Sequence, residues 1–306
     1  MNAPREHTEC TVIGAGAAGI SAACWLATFE VDYRWFAPEG GFGGILQRVH
    51  NAIPNYPGGC YESGEELIDA LRDGLERGDI AGPEAGRLDS AHRSNDAWRL
   101  EFADRPALSS EAVILATGTR YRTLGVPGES EAMGDTVSQS ATADAESVAG
   151  RHVAVVGGGD AGLENALILA EHDCQVTMLL RSEPKARPTF LERAEADDRI
   201  EFYPIPTTVA RIDPTDDGCR LHLNVRGERD QLDVARLFVR IGVDPVLPDI
   251  TPQPERTDDG FLLVDDHQRT DLDGLLAASD VTACTLRSVA TATGGGARAA
   301  RTVASH

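Results

Sequence analysis

The sequence has very little lysine and few aromatic residues for a chain of 306 residues. Lys185 is the single lysine among 28 basic residues, and 49 acidic residues give a formal net charge of −21. A uniform acidic excess of this size argues against nucleic acid or an anionic membrane surface as the main partner, because both would be repelled. We therefore expect neither a nucleic-acid partner nor a membrane partner.

The sequence also lacks any Cys-x-x-Cys pair or zinc-type spacing. No two of its six cysteines lie closer than 14 positions, and the histidines are scattered. These spacings exclude a small disulfide scaffold and give no metal-ligand pattern, so we expect no metal. The six cysteines are most simply reduced thiols, which agrees with a cytoplasmic location. They are Cys10, Cys24, Cys60, Cys174, Cys219 and Cys284.

Long apolar runs are missing as well. The one uncharged stretch of near-membrane length, residues 11–29, is rich in glycine and alanine and is preceded by Arg5, Glu6 and Glu9. This composition predicts a strand, a turn and a buried helix rather than a membrane span or a signal peptide. With 42% hydrophobic and 25% charged residues, the chain has a globular composition, and its length predicts about two domains.

Strand and helix signals alternate along the chain, which predicts an α/β fold. The opening strand, glycine turn and helix recur in the second half, which indicates a duplicated nucleotide-binding unit. Predicted strands cover residues 10–13, 31–36, 112–115, 153–156, 176–180, 200–203, 221–225 and 237–241. Predicted helices cover residues 17–27, 65–77, 161–171 and 289–303.

Two glycine fingerprints lie between a predicted strand and a predicted helix. The first is Gly14, Gly16 and Gly19, and the second is Gly157, Gly159 and Gly162. In a dinucleotide-binding fold these glycines allow a tight turn, a close approach to the pyrophosphate and close packing of helix on strand. Glu39, near the end of the second strand, is the candidate acid for a ribose. Two dinucleotide sites in one chain indicate a flavin paired with a nicotinamide.

Nearly the whole chain resembles the low-molecular-weight thioredoxin reductases. Gly43-Gly44-Ile45-Leu46 is similar to the family's Gly-Gly-Gln-Leu, and residues 55–58 match its Asn-Tyr-Pro-Gly. Residues 116–118 resemble the Ala-Thr-Gly crossover, residues 157–160 the nicotinamide fingerprint, and residues 277–281 the family's Ala-Ala-Gly-Asp-Val. Arg287-Ser288 stands where the family has Arg-Gln before the last helix.

The resemblance implies two Rossmann-like, three-layer ββα domains, with a nicotinamide domain inserted into a discontinuous FAD domain. The expected bounds are residues 1–119 and 245–306 for the FAD domain and 120–244 for the NAD(P)H domain; the family is homodimeric. Together, fingerprint and resemblance give as FAD-binding residues Gly14, Gly16, Gly19, Glu39, Gly43, Gly44, Leu46, Asn55, Thr117, Gly118, Asp280, Arg287, Ser288 and Val289. The NAD(P)H-binding residues are Gly157, Gly159, Asp160, Gly162, Arg181, Lys185 and Arg187.

The sequence departs from the family at the redox centre. The family carries Cys-Ala-Thr-Cys-Asp, whereas this chain has Ser140-Ala141-Thr142-Ala143-Asp144. A serine and an alanine cannot form a disulfide or take up two electrons, so the usual route of thioredoxin reduction does not carry over. Asp144 matches the family's proton-donating acid, and it serves either as a proton donor near the flavin or as a helix cap.

A second departure concerns the nicotinamide. The family holds the 2′-phosphate of NADPH with His-Arg-Arg and a later arginine, whereas this chain has Leu180-Arg181-Ser182 followed by Lys185 and Arg187. Arg181 still offers a guanidinium to a phosphate. The residues therefore leave the choice between NADPH and NADH open.

These observations favour an FAD-dependent oxidoreductase without a dithiol, which passes electrons from NAD(P)H through FAD to an acceptor other than thioredoxin. Candidate acceptors are a small molecule, a quinone or a ferredoxin-like carrier. One alternative is a flavin-binding redox sensor or interaction protein with little NAD(P)H turnover. Another is a single-cysteine disulfide reductase that uses Cys284 or Cys60, each of which is otherwise a packing residue.

Overall fold

The chain divides into two compact units. The computed structural model describes residues 7–94 and 96–305. The first unit comprises residues 1–120 and 244–306, and the second comprises residues 121–243. The domain boundaries expected from the sequence lie after residues 119 and 244, close to the two boundaries between these units.

The strands and helices follow one another in an alternating order. The first part of the first unit contains β1 (His7–Ile13), α1 (Ala17–Thr28), β2 (Tyr33–Ala37), α2 (Gly64–Arg77), β3 (Glu84–Ala85), β4 (Leu88–Ser94), β5 (Ala97–Phe102) and β6 (Leu108–Leu115), and then β7 (Thr119–Tyr121) leads into the second unit. The second unit contains α3 (Glu129–Ala132), β8 (Val137–Ser138), α4 (Ala141–Asp144), β9 (His152–Val156), α5 (Asp160–Glu171), β10 (Gln175–Leu179), α6 (Pro188–Glu195), β11 (Ile200–Phe202), β12 (Thr207–Thr215), β13 (Gly218–Val225), β14 (Glu228–Val234) and β15 (Arg236–Val239). The chain returns through β16 (Val243–Pro245) to β17 (Asp249–Thr251), β18 (Leu275–Ala277) and α7 (Val289–Val303).

The sheet of the first unit has the order β17-β4-β5-β6-β1-β2-β3. Its centre is parallel, because β1 pairs in parallel with both β2 and β6. Strand β5 pairs in antiparallel with the start of β6, and β18 pairs in parallel with the end of β6. The carboxyl ends of β1, β2, β6 and β18 therefore meet at one edge of the sheet, where open α/β folds bind their ligands.

Two helices of small residues pack closely in the first unit. A Cβ placed on Gly296 of α7 would lie 2.1 Å from the carbonyl oxygen of Ala18 in α1, so this contact requires glycine. Alanine and glycine on both helices bring the two backbones together and bury most of α1 against the sheet. This packing explains why α1 has no polar face and why its sequence contains no charged residue.

The second unit has a parallel sheet of order β11-β10-β9-β15-β8 and an antiparallel sheet of order β12-β13-β14. Helix α5 joins β9 to β10, which is the crossover of a nucleotide-binding unit. Apolar residues from α5 and the parallel strands, among them Leu163, Met178 and Phe238, form a fully buried core.

The predicted α/β class is confirmed, as is the duplicated strand–glycine–helix opening. The last helix begins and ends where it was predicted, at Val289 and Val303. The sequence analysis did not identify β4, β5, β12 and β14, each of which exposes at least two polar residues.

Candidate functional site

The first glycine fingerprint forms a strand-to-helix turn that only glycine permits. Gly14 has φ +108°, and a Cβ there would lie 2.3 Å from the carbonyl oxygen of Ala116. A Cβ on Gly19 would lie 1.9 Å from the carbonyl oxygen of Gly14. Gly16, in contrast, has open space beside it and is the N-cap of α1. The first and third glycines therefore fix the turn, and the second leaves the helix N-terminus accessible to a ligand.

A cavity of about 690 Å³ opens beside this turn at the carboxyl edge of the sheet, with every lining residue in the first unit. The volume lies within the range of cofactor sites. Many residues expected at an FAD line it. They are Gly14, Gly16, Gly44, Leu46, Thr117, Gly118, Asp280, Arg287, Ser288 and Val289.

The cavity wall carries polar groups that match the hydroxyl-rich and anionic parts of a dinucleotide. The Oγ1 atom of Thr117 is buried and has no hydrogen-bond partner among the described residues. Burial raises the pKa of Asp280, and the nearby guanidinium of Arg287 opposes this effect. A buried hydroxyl and carboxyl are favourable only when they are hydrogen-bonded, so this wall fits the ribityl and phosphate groups of FAD.

Ser279 adopts an unusual backbone conformation in the same wall. Its φ is +78°, a left-handed conformation that a serine adopts at a cost of roughly 1–3 kcal/mol. It stands where the resembled family has glycine, between Ala278 and Asp280. The conformation places this turn, and with it Asp280, at the end of β18.

Four residues expected at the FAD lie outside this lining. Gly19 allows α1 to pack on the turn. Gly43 has φ +91°, and a Cβ there would lie 2.5 Å from the Cδ1 atom of Ile68. Glu39, the candidate ribose acid, lines a neighbouring cavity instead. Asn55 is exposed in the loop before α2. For Gly43 the sequence signal reflects the turn that begins the short helix at residues 44–48.

The second fingerprint repeats the geometry of the first. Gly157 has φ +133°, and a Cβ there would lie 2.1 Å from the carbonyl oxygen of Arg240. A Cβ on Gly162 would lie 2.1 Å from the carbonyl oxygen of Gly157, whereas Gly159 has open space beside it. Gly159 is the N-cap of α5. The second unit therefore presents the same accessible helix N-terminus as the first.

The loop after β10 folds back onto this fingerprint. The backbone N–H groups of Lys185 and Ala186 donate to the carbonyl oxygen of Gly158 over 2.7 and 3.2 Å. The backbone N–H and the Nε of Arg187 each donate to the carboxylate of Asp160 over 2.7 Å. Arg181 is exposed, directly after the buried Leu180. Arg187 is therefore held at the N-terminus of α5, and Lys185 contacts the fingerprint through its backbone.

The segment around Ser140 and Ala143, which the resemblance aligns with the family's redox centre, is fixed by hydrogen bonds. Ser140 is the N-cap of α4, and its Oγ accepts from the backbone N–H of Ala143 over 3.3 Å. The buried side chain of Asn165 accepts from the N–H of Ala141 over 2.7 Å. Serine thus has a capping role at the position of the first cysteine.

Arg236 in β15 and Arg240, directly after that strand, hold the residues around Asp144, and the sequence analysis missed both. Arg236 forms an ion pair of 3.2 Å with Asp144, which also accepts from the Oγ of Ser138 over 2.5 Å. Arg240 donates to the carbonyl oxygen of Gln139 over 3.0 Å. The side chain of Asp144 caps neither α4 nor the short helix that follows it, Ala145–Val148. Only strand pairing brings these residues together, so no local sequence signal could reveal them.

All six cysteines are free thiols. Cys10, Cys174 and Cys219 are buried, Cys24 and Cys284 are half-buried, and Cys60 is exposed. Burial raises the pKa of Cys284, an effect that Arg287 opposes. A raised pKa disfavours the thiolate, which is the nucleophilic form.

Two glycine fingerprints, each at an accessible helix N-terminus, and a cofactor-sized cavity beside the first of them indicate a two-dinucleotide oxidoreductase. No helix among the described residues has the length and apolar character that a bilayer crossing requires. Residues 7–94 and 96–305 also contain no cluster of three or more side chains suited to a metal ion.

Comparison with known proteins assigns the family. The family model "Pyridine nucleotide-disulphide oxidoreductase" matches residues 8–296, and the chain belongs to this family. It is 36% identical to a thioredoxin reductase from Mycolicibacterium smegmatis, covering 98% of this chain and 96% of the relative. It is 33% identical to a thioredoxin reductase from Treponema pallidum, over 97% of this chain and 96% of the relative. A crystal structure of Lactococcus lactis thioredoxin reductase aligns with a TM-score of 0.80 at 29% identity, covering 97% of each chain.

The family membership implies FAD and a nicotinamide dinucleotide as cofactors, and the residues present fit both. The open space at Gly16 and Gly159 admits a pyrophosphate to each helix N-terminus. The unpartnered Thr117 hydroxyl and the buried Asp280 suit a flavin in the cavity. The chain is therefore a thioredoxin reductase-like oxidoreductase.

Proposed function

We propose that this protein transfers electrons from NAD(P)H through FAD to an acceptor other than thioredoxin. The observation that carries the proposal is the pair Ser140 and Ala143, which stands where the resembled family has two redox cysteines. Without a dithiol, reducing equivalents that reach the flavin have no disulfide to pass through. They leave the flavin directly, to a quinone, another small molecule or a ferredoxin-like carrier.

The first unit binds FAD in this proposal, and the second binds NAD(P)H. The cavity with its unpartnered Thr117 hydroxyl supports the first assignment. The repeated glycine geometry at Gly157, Gly159 and Gly162 supports the second. Asp144 is proposed as a proton donor, in a position that Ser138 and Arg236 fix. We also propose that the protein acts as a homodimer, as the resemblance implies, in the cytoplasm, as its reduced cysteines favour.

The experiment that tests this function is anaerobic reduction of the purified FAD-loaded protein. NADPH and NADH are added separately, and the loss of the flavin's visible absorbance is followed. We expect bleaching by at least one of them, and reoxidation by quinones, dyes or a ferredoxin but not by a thioredoxin. If dithionite bleaches the flavin and neither nicotinamide does, the electron donor in this proposal is wrong and a flavin-binding sensor is favoured.

A single-cysteine mechanism is the remaining alternative, and the thiol environments argue against it. Cys60 is exposed but has no partner thiol in a disulfide, and Cys284 has a raised pKa. The Cys60→Ser/Cys284→Ser variant should keep the NAD(P)H-dependent turnover of the wild type with quinone acceptors. A loss of turnover in this variant, with FAD content unchanged, would favour the cysteine mechanism.

A further inference from the structure

The second fingerprint places a carboxylate where the proposed function needs an anion to bind. Asp160 is the first residue of α5, directly after Gly159. A helix N-terminus attracts a pyrophosphate, but a neighbouring carboxylate repels it. A positive charge beside Asp160 would offset this repulsion.

Arg187 supplies this charge in a fixed geometry. Its backbone N–H donates to Oδ1 of Asp160 and its Nε donates to Oδ2, each over 2.7 Å. Its guanidinium also stacks on the ring of Phe190, with the central carbon 4.7 Å from the ring centroid. Together these contacts use both carboxylate oxygens of Asp160 and orient the guanidinium.

The remaining donors of Arg187 are available to a ligand. Its side chain is 67% exposed, and its two Nη groups make no hydrogen bond with the described residues. An arginine held by its Nε presents these two groups as a fork, which matches the spacing of phosphate oxygens. The loop that carries it is held by the bond from the Lys185 N–H to Gly158, so the fork is positioned before a ligand arrives.

We propose that Arg187 is a positioning residue for the pyrophosphate of the nicotinamide dinucleotide, because it neutralises Asp160 and offers its Nη groups beside the N-terminus of α5. This inference rests on the proposed NAD(P)H site and gives a particular role to Arg187, which the sequence analysis named only as an NAD(P)H-binding residue. A pyrophosphate role makes Arg187 equally important for NADH and NADPH. Arg181 remains as the exposed arginine after β10.

The test is calorimetric titration of the FAD-loaded protein with NADP⁺, NAD⁺ and ADP-ribose, which share a pyrophosphate and undergo no electron transfer with the oxidised flavin. The variants are Arg187→Gln, Asp160→Asn and the double variant. Arg211→Gln is the matched control, since Arg211 is also exposed and its Nε donates to Asp213 over 2.6 Å. Thermal unfolding of each variant shows whether it is folded.

We expect Arg187→Gln to weaken the binding of all three compounds by a similar factor, about tenfold or more, as for the loss of a charge-assisted hydrogen bond. Asp160→Asn should bind them as tightly as the wild type or more tightly, because it removes the repelling charge. The double variant should bind more tightly than Arg187→Gln. Arg211→Gln should behave as the wild type.

The opposite effects of the two single variants separate this role from a merely structural one. If Asp160→Asn weakens binding as much as Arg187→Gln does, the pair only braces the loop and the proposal is wrong. If Arg187→Gln affects NADP⁺ alone, Arg187 contacts the 2′-phosphate instead. A wild type that binds none of the compounds would overturn both this inference and the proposed NAD(P)H donor, whereas unchanged binding in Arg187→Gln would overturn this inference alone.

Discussion

The Oγ of Ser140 accepts a hydrogen bond from the backbone N–H of Ala143 over 3.3 Å, so the first turn of α4 joins the two positions that carry redox cysteines in the resembled family. The turn is held without sulfur by this cap and by Asn165, which accepts from the N–H of Ala141. The local backbone therefore keeps a compact first turn in the absence of a disulfide.

This geometry predicts that a disulfide can be introduced. The variant Ser140→Cys/Ala143→Cys should form an intramolecular disulfide on oxidation, because an N-cap side chain already reaches the third helical residue. Thiol titration of the denatured protein should give two fewer free thiols than after reduction. Each single variant is the control and should form no such bond. If both introduced thiols stay free after oxidation, the turn is too open for a disulfide.

The left-handed serine in the cavity wall predicts a stabilising substitution. Ser279→Gly should raise the free energy of unfolding by about 1 kcal/mol, because glycine adopts φ +78° without the steric cost that serine incurs. Part of the gain is offset by the greater flexibility of glycine in the unfolded chain. Urea unfolding of the wild type and the variant measures the difference. Ser305→Gly, at an exposed position past the end of α7, is the control and should not stabilise the protein.

The fingerprint glycines should separate into two groups by their surroundings. Gly14→Ala should destabilise the protein or prevent folding, since its Cβ would overlap the Ala116 carbonyl. Gly16→Ala has room for a Cβ and should fold, but with a lower FAD content, because the methyl group faces the pyrophosphate path. Gly159→Ala is the counterpart in the second unit, and it should retain FAD and lose affinity for NAD(P)H.

Flavin absorbance per protein and the thermal midpoint measure these effects. A Gly16→Ala variant with full FAD content and unchanged affinity would show that the flavin does not approach this turn. Equal loss of stability in Gly14→Ala and Gly16→Ala would show that the open space at Gly16 has no functional meaning.

Asp280 should make the stability of the FAD-free protein depend on pH. Burial raises its pKa in the folded state, so the ionised carboxylate disfavours folding at neutral pH. This cost is fully present above the folded-state pKa, declines as the pH falls, and is absent below the unfolded pKa of aspartate. Asp280→Asn should therefore stabilise the FAD-free protein at pH 7, and the gain should shrink in acid.

Denaturant unfolding of the FAD-free protein across this pH range measures the effect. Asp73→Asn, at an exposed aspartate of α2, is the control and should show no such gain. Affinity for FAD should fall in Asp280→Asn, because the carboxylate is expected to accept from a flavin hydroxyl. A gain that does not change with pH would show that burial of charge is not its cause.

Much of the fold follows from local patterns. The spacing of Gly14, Gly16 and Gly19 between an apolar strand and a small-residue helix predicts the turn, because Gly19 packs on the carbonyl of Gly14 within the same motif. The close contact of Gly14 with Ala116, in contrast, comes from the tertiary fold. The amphipathic helix α2 and the final helix are equally local. Strands β4, β5, β12 and β14 were not predicted, since each exposes polar residues and takes its place in a sheet from pairing with neighbouring strands.

The site was predictable where a motif is contiguous and not where partners are distant. Thr117, Asp280 and Arg287 line the cavity as the resemblance implies, although Thr117 is far from Asp280 and Arg287 in the chain. Glu39 lines a neighbouring cavity instead, so its role at a ribose stays a prediction. Position along a strand does not determine the direction of the loop that follows it.

The sequence by itself determined that the chain is an acidic α/β protein with two dinucleotide fingerprints and no dithiol, because composition and glycine spacing are properties of the chain. The tertiary structure decided which charges meet. Arg187 reaches Asp160 across 27 positions, and Arg236 reaches Asp144 only because β15 and β8 are paired. Such pairs depend on loop paths and strand order, which the packing of the whole unit fixes.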